Sequence, residues 1–138
     1  MELELGPFDP ALHIRSRDHY EAVRREAQLV ALAPDAPPAR FNGLIERLTA
    51  QFPRSPVDDA ADQAYLAKEP TFVVRFTLSD ELVPVALEAC DELEALLDEL
   101  DRWAGTEAVR LLEAPEDVKR YRAAFLTQAR AQLKGTRG

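Results

Sequence analysis

The stretch TFVVRFTLSDELVPVALEACDELEALLDELDRW, residues 71–103, contains both kinds of secondary structure in this chain and the junction between them. From Thr71 to Leu78 the apolar residues alternate, with Phe72, Val74, Phe76 and Leu78 on one side and Val73, Arg75 and Thr77 on the other. Period-two alternation with β-branched and aromatic residues predicts a strand with one face on a core. Beyond Ser79 the period changes. Leu82, Ala86, Ala89, Leu93, Leu96 and Leu100 recur at helical spacing, and eight acids (Asp80, Glu81, Glu88, Asp91, Glu92, Glu94, Asp98, Glu99) are threaded between them with no base. Ser79 or Asp80 is placed to cap this acidic helix, which is expected to run to about Trp103, with Gly105 to end it.

Toward the C-terminus, Pro115 opens a helix with Glu116 and Asp117 in its first turn and an apolar row at Val118, Tyr121, Phe125, Ala129 and Leu133. Its bases, Lys119, Arg120, Arg122, Arg130 and Lys134, oppose the charge of the acidic helix and suggest that the two lie together. Val109 to Leu112 reads as a short extended piece between them, and residues 135–138 as a frayed tail. Toward the N-terminus, Leu3 and Leu5, or Leu12 and Ile14, alternate with polar residues around Gly6-Pro7, so either pair suits a short strand. A helix follows from Ser16 to about Leu32 with Tyr20, Val23, Ala27 and Val30 inward. Another runs from Pro38 with Phe41, Leu44, Ile45, Leu48 and Phe52 on one face, where Arg40 and Arg47 flank the apolar stripe. Prolines interrupt at 53 and 56, so 53–70 reads as a surface connection with one helical turn in its Ala-rich later part. The expected architecture is one α+β domain over residues 1–138, about four helices packed with a sheet of two or three short strands.

A net charge of −8 opposes binding to nucleic acid or an anionic membrane and favours a basic protein partner. No stretch reaches the roughly 18 apolar residues of a membrane helix. Cys90, the only cysteine, has no internal disulfide partner and packs as a small hydrophobe, so a reducing cytoplasm is the expected location. The five glycines are too dispersed for a phosphate loop. No Gly-x-Ser-x-Gly elbow, calcium loop or Glu-x-x-His pair occurs, so no catalytic, cofactor or metal residue is assigned. His13 and His19 are the only imidazoles, and packing or surface roles fit them better than a phosphoacceptor role. The acidic helix has a heptad rhythm that permits a homodimer through residues 80–103, but Val85, Cys90 and Leu97 widen the stripe toward an intramolecular core.

The segments Leu96 to Trp103, Leu111 to Val118 and Arg122 to Leu126, with Ile14 to Tyr20 and Arg40-Phe41, resemble a group of uncharacterised actinobacterial regulatory modules. Such modules stand near, or joined to, ATP-binding domains of the anti-sigma and histidine-kinase-like type. The resemblance implies a signalling role and no ATP site in this chain. The expected function is therefore a non-catalytic protein-binding module. Glu88, Asp91, Glu92, Asp98 and Glu99 steer a basic partner, and Trp103 supplies an aromatic rim. The alternatives are an immunity or antitoxin protein against a basic toxin, and a small-ligand-binding or enzymatic domain built on His13, His19 or the acidic helix.

Overall fold

The structure, a computed structural model, describes residues 1–29, 36–52, 55–106 and 114–135, with the backbone alone at 26–29 and 104–106. The element order is β1 (Glu2–Phe8), α1 (Pro10–Leu29), α2 (Pro37–Gln51), α3 (Pro56–Leu66), β2 (Phe72–Thr77), a 3₁₀ turn at Asp80–Leu82, α4 (Val83–Thr106) and α5 (Glu116–Leu133). Helices dominate, and among the described residues the sheet is a single antiparallel pair of β1 and β2.

The alternation in both strands has the expected physical basis. Leu3, Leu5, Phe8, Phe72 and Val74 are buried on one face, while Glu2, Glu4, Val73, Arg75 and Thr77 face solvent. Pairing runs Glu2 to Thr77, Leu3 to Phe76, Glu4 to Arg75 and Leu5 to Val74, then slips before Phe8 meets Phe72. Gly6 occupies the slip. Its φ is +119°, and a Cβ there would come within 2.6 Å of the Phe72 carbonyl oxygen, so only glycine fits. The Gly6–Pro7 peptide is cis.

Between Leu3/Leu5 and Leu12/Ile14, the strand forms at the first pair. Leu12 and Ile14 belong to α1, which begins six residues earlier than the expected Ser16. The cause is Asp9, whose Oδ1 accepts the Ala11 amide at 2.9 Å, with Pro10 at the first helical position. Ser16 is consequently not a cap. It is 3% exposed in the middle of the helix.

The stretch read as a surface connection over 53–70 holds α3 instead. Ser55 Oγ accepts the Asp58 amide at 3.1 Å, Pro56 sits in the first turn, and Asp58 and Asp59 favour the positive end of the helix. Val57, Ala61 and Ala64 then bury at helical spacing beneath the sheet. Small alanines let α3 approach β2 closely, but they also weaken the apolar period on which a sequence reading depends. Gly105 lies within the last turn of α4 rather than beyond it. Val109 to Leu112 and residues 136–138 lie outside the described residues.

Two apolar clusters form the core. One, under the sheet, contains Leu5, Phe8, Val57, Ala61, Phe72, Val74 and Tyr121, with Cys90 and Phe125 packed against it. The other joins Val23 of α1, Phe41 and Leu44 of α2, and Leu96, Leu97 and Leu100 of α4. The second cluster absorbs the C-terminal half of the heptad stripe, so this part of the stripe is an internal seam between α4 and α2.

Candidate functional site

Two places concentrate polar side chains: the flanks of α4, and the junction of α1, α3 and α5.

The inner stripe of α4 packs on α2, and α5 lies on its other side, so its acids project along two flanks. Arginines meet them on both. Arg47 of α2 donates to Glu92 at 2.6 Å, and Arg40 donates to Glu99. Arg130 of α5 donates to Asp91 at 2.9 Å and also to Glu94. The charge contrast between the acidic and basic helices thus records true adjacency. It is incomplete, because Arg40 and Arg47 from α2 supply half of the pairing on this surface. Of the six residues expected to meet a partner, Asp91, Glu92 and Glu99 hold internal ion pairs. Glu88 and Asp98 are exposed and have no ion-pair partner among the described residues. Trp103 is half-buried against the α2–α4 cluster.

One pair differs in kind. Arg122 of α5 donates to Asp101 of α4, with the two side chains only 9% and 11% exposed. Asp101 also accepts the Ala114 amide at 3.2 Å, fixing the approach to α5. Arg122 Nη1 is buried with no hydrogen-bond partner among the described residues. A groove of about 450 Å³ between α4 and α5 is lined by Asp98, Asp101, Arg102, Lys119 and Arg122.

At the helix junction, His13 is held from both sides. Its Nδ1 lies 2.5 Å from the Tyr121 hydroxyl and its Nε2 2.5 Å from Asp58 Oδ1. The imidazole also packs edge-on against Phe72 and Tyr121. The hydrogen bond from His13 holds the Asp58 carboxyl below the ordinary range, against partial burial, and burial pushes the Tyr121 phenol upward. The Tyr121 proton therefore stays on its oxygen, and the direction of its hydrogen bond with Nδ1 follows the imidazole tautomer, while Nε2 faces the Asp58 carboxylate. Arg17 of α1 adds a second tie to α3, reaching Asp62 through two bonds of 3.1 and 2.9 Å. His13, Ser16, Tyr20, Thr49, Asp58 and Tyr121 share a cavity of about 310 Å³.

His19 stands apart from this network, facing Tyr20 at a ring separation of 6.0 Å. The Cys90 thiol is pushed up by burial, so the reactive thiolate is disfavoured. Among the described residues, no group of three or more His, Cys, Asp or Glu is placed to hold a metal ion, and no helix is long and apolar enough to cross a membrane.

Sequence reasoning singled out His13 but neither of its partners. Asp58 falls in the segment read as a connection, and Tyr121 in the apolar row of the last helix, where its reading is core packing or an interface anchor. Comparison with protein-family models, with curated proteins and with solved structures found no match to the chain.

Proposed function

We propose that this chain is a non-catalytic protein-binding module of a bacterial regulatory pathway, and that a basic partner docks on the outer side of α4. The observation that carries this reading is the state of Glu88 and Asp98, exposed acids on α4 without counter-ions among the described residues. Around them the paired acids remain at the surface. An incoming arginine can exchange with Arg47 or Arg40 there at little cost, since exposed pairs are worth only about 0.2–1 kcal/mol each. A chain of net charge −8 also accelerates encounter with a cation-rich surface. The likeness to modules standing beside anti-sigma-type ATP-binding domains supports the regulatory setting, and a cytoplasmic location goes with it.

The test is affinity capture from the native host at low and high salt, followed by titration of the purified partner with Glu88→Gln/Asp98→Asn. These two substitutions disturb no ion pair among the described residues. A drop in affinity of about tenfold with a shallower salt dependence is expected. An unchanged affinity and salt slope would remove α4 from the interface.

A second reading, a small-ligand-binding domain, is favoured by the convergence of His13, Asp58, Tyr121 and Tyr20 on one cavity of about 310 Å³, near the lower end of small-molecule sites. Its test is a ligand screen by amide chemical shifts. Shifts confined to residues around His13, abolished by Thr49→Trp filling the cavity, would support it. Hits that ignore that substitution would reject it.

A further inference from the structure

The outer edges of β1 and β2 differ in a way that points to a partner. Met1 and Leu78 exchange two backbone hydrogen bonds, of 2.7 and 2.8 Å. Counting in twos along the register, Leu3/Phe76 and Leu5/Val74 are the mutually bonded pairs. The N–H and C=O groups of Glu4 and Gly6 must then point away from β2, and those of Val73, Arg75 and Thr77 away from β1.

On the β1 side those groups are satisfied by side chains. Gln132 Oε1 accepts the Glu4 amide at 2.7 Å while its Nε2 donates to the Glu4 carbonyl. Gln128 does the same for Gly6, at 2.6 and 3.3 Å. Two glutamines one turn apart on α5 thus occupy the place of a neighbouring strand. On the β2 side the backbone groups of Val73, Arg75 and Thr77 have no hydrogen-bond partner among the described residues. The apolar surface lies on the same segment. Tyr65, Leu66 and Val73, at 55%, 81% and 44% exposed, are the exposed large hydrophobics among the described residues, and all fall where α3 ends and β2 begins.

We infer that the free edge of β2 pairs with β2 of a second copy of this chain, antiparallel about a two-fold axis at Val74, to give a continuous four-stranded sheet. The occupant is read from the strand itself. Thr71-Phe72-Val73-Val74-Arg75-Phe76-Thr77 is nearly the same sequence in both directions, so a two-fold at Val74 opposes Thr71 to Thr77, Phe72 to Phe76 and Val74 to itself. Threonine pairs and aromatic pairs are favourable cross-strand neighbours. Val73 and Arg75 then form the hydrogen-bonded pairs, using the outward groups of both copies. This axis also settles the charge. Arg75 is already joined in register to Glu4 at 2.8 Å, so it enters the pairing as half of a neutral pair and lies against the apolar Val73. A two-fold at Arg75 would instead bring two guanidinium groups face to face. The pairing leaves α4 untouched, and its salt dependence has the opposite sign to docking of a basic partner: screening the mutual repulsion of two chains of −8 tightens it.

Sedimentation equilibrium of the full chain tests the pairing. A reversible dimer that tightens with salt is expected for the natural sequence. Val73→Pro, which removes an outward N–H that β1 does not use, should raise the dissociation constant about tenfold or more. Should that variant fold poorly, Val73→Lys places a charge on the same edge. The register is read by Val74→Cys in a Cys90→Ser background, because opposed non-bonded residues lie about 4.5 Å apart, within disulfide reach. Oxidation should link two copies through position 74 and not through Arg75→Cys. A natural chain that stays monomeric at its highest soluble concentration, a dimer indifferent to both position-73 variants, or cross-linking at 75 in place of 74 would each overturn the inference.

Discussion

Asp101 of α4 accepts from both the Arg122 guanidinium and the Ala114 amide, so one largely covered carboxylate ties the last two helices together and sets where the second begins. This pair differs from the exposed ion pairs around it because each member, left alone, would be a charge in a low-dielectric setting. Asp101→Ala is expected to destabilise the fold by about 3–5 kcal/mol, with Arg122→Ala similar. The double replacement Asp101→Ala/Arg122→Ala should cost far less than the sum of the two single losses. Urea denaturation of the four proteins measures the coupling, and strictly additive losses would contradict it.

The Asp58–His13 contact gives an acid limb to the stability curve. Because the folded carboxyl titrates below its unfolded value of about 3.9, the associated stability is fully present above that pH. It is lost as pH falls through the lower folded value. The side chain is 38% exposed, so screening holds the contribution to roughly 0.5–1 kcal/mol. Asp58→Asn should therefore be less stable near neutrality and should lose less stability than the natural chain on acidification below pH ~4. Thermal melts across that range compare the two slopes.

Removing the amides that line β1 exposes its outer edge. Gln128→Leu/Gln132→Leu is expected to cost about 1–3 kcal/mol, the first substitution forfeiting hydrogen bonds to the part-buried Gly6 backbone and the second to the exposed Glu4 backbone. Hydrogen exchange gives the sharper readout. The Glu4 and Gly6 amides should lose protection, while those of Leu3 and Leu5, which bond to β2, should keep it.

At the slip between the strands, Gly6→Ala must adopt a φ of +119° and bring its methyl against the Phe72 carbonyl. A loss of about 2 kcal/mol or more is expected. Gly43, with open space around its Cβ position and an ordinary helical setting, provides the control. Gly43→Ala should stabilise by about 0.5–1 kcal/mol.

What the sequence revealed and what it concealed divide along physical lines. β2, α4 and α5 have long, unambiguous apolar periods, and the α+β class follows from their order. The α3 helix was hidden because Ala61 and Ala64 bury little apolar surface and prolines at 53 and 56 suggested a linker, although Ser55-Pro56-Val57-Asp58 is a complete helix start. The beginning of α1 was missed because Leu12 and Ile14 also alternate, and Asp9-Pro10 carried the deciding signal. At the candidate surface, the acids of α4 were visible in composition, but their pairing with Arg40 and Arg47 depends on α2 lying alongside. The Asp58–His13–Tyr121 contact joins positions 45 and 108 residues apart, and no local spacing encodes it.

The clasp of Gln128 and Gln132 on β1 bears on how far any assembly can extend. A two-stranded sheet with both edges open is a unit from which filaments grow, each copy offering one edge and accepting another. With one edge occupied by amides from its own chain, addition can proceed from one side only, and a single two-fold pairing consumes it. Any ordered association through this sheet is therefore finite, and protection against runaway polymerisation is built into the last helix.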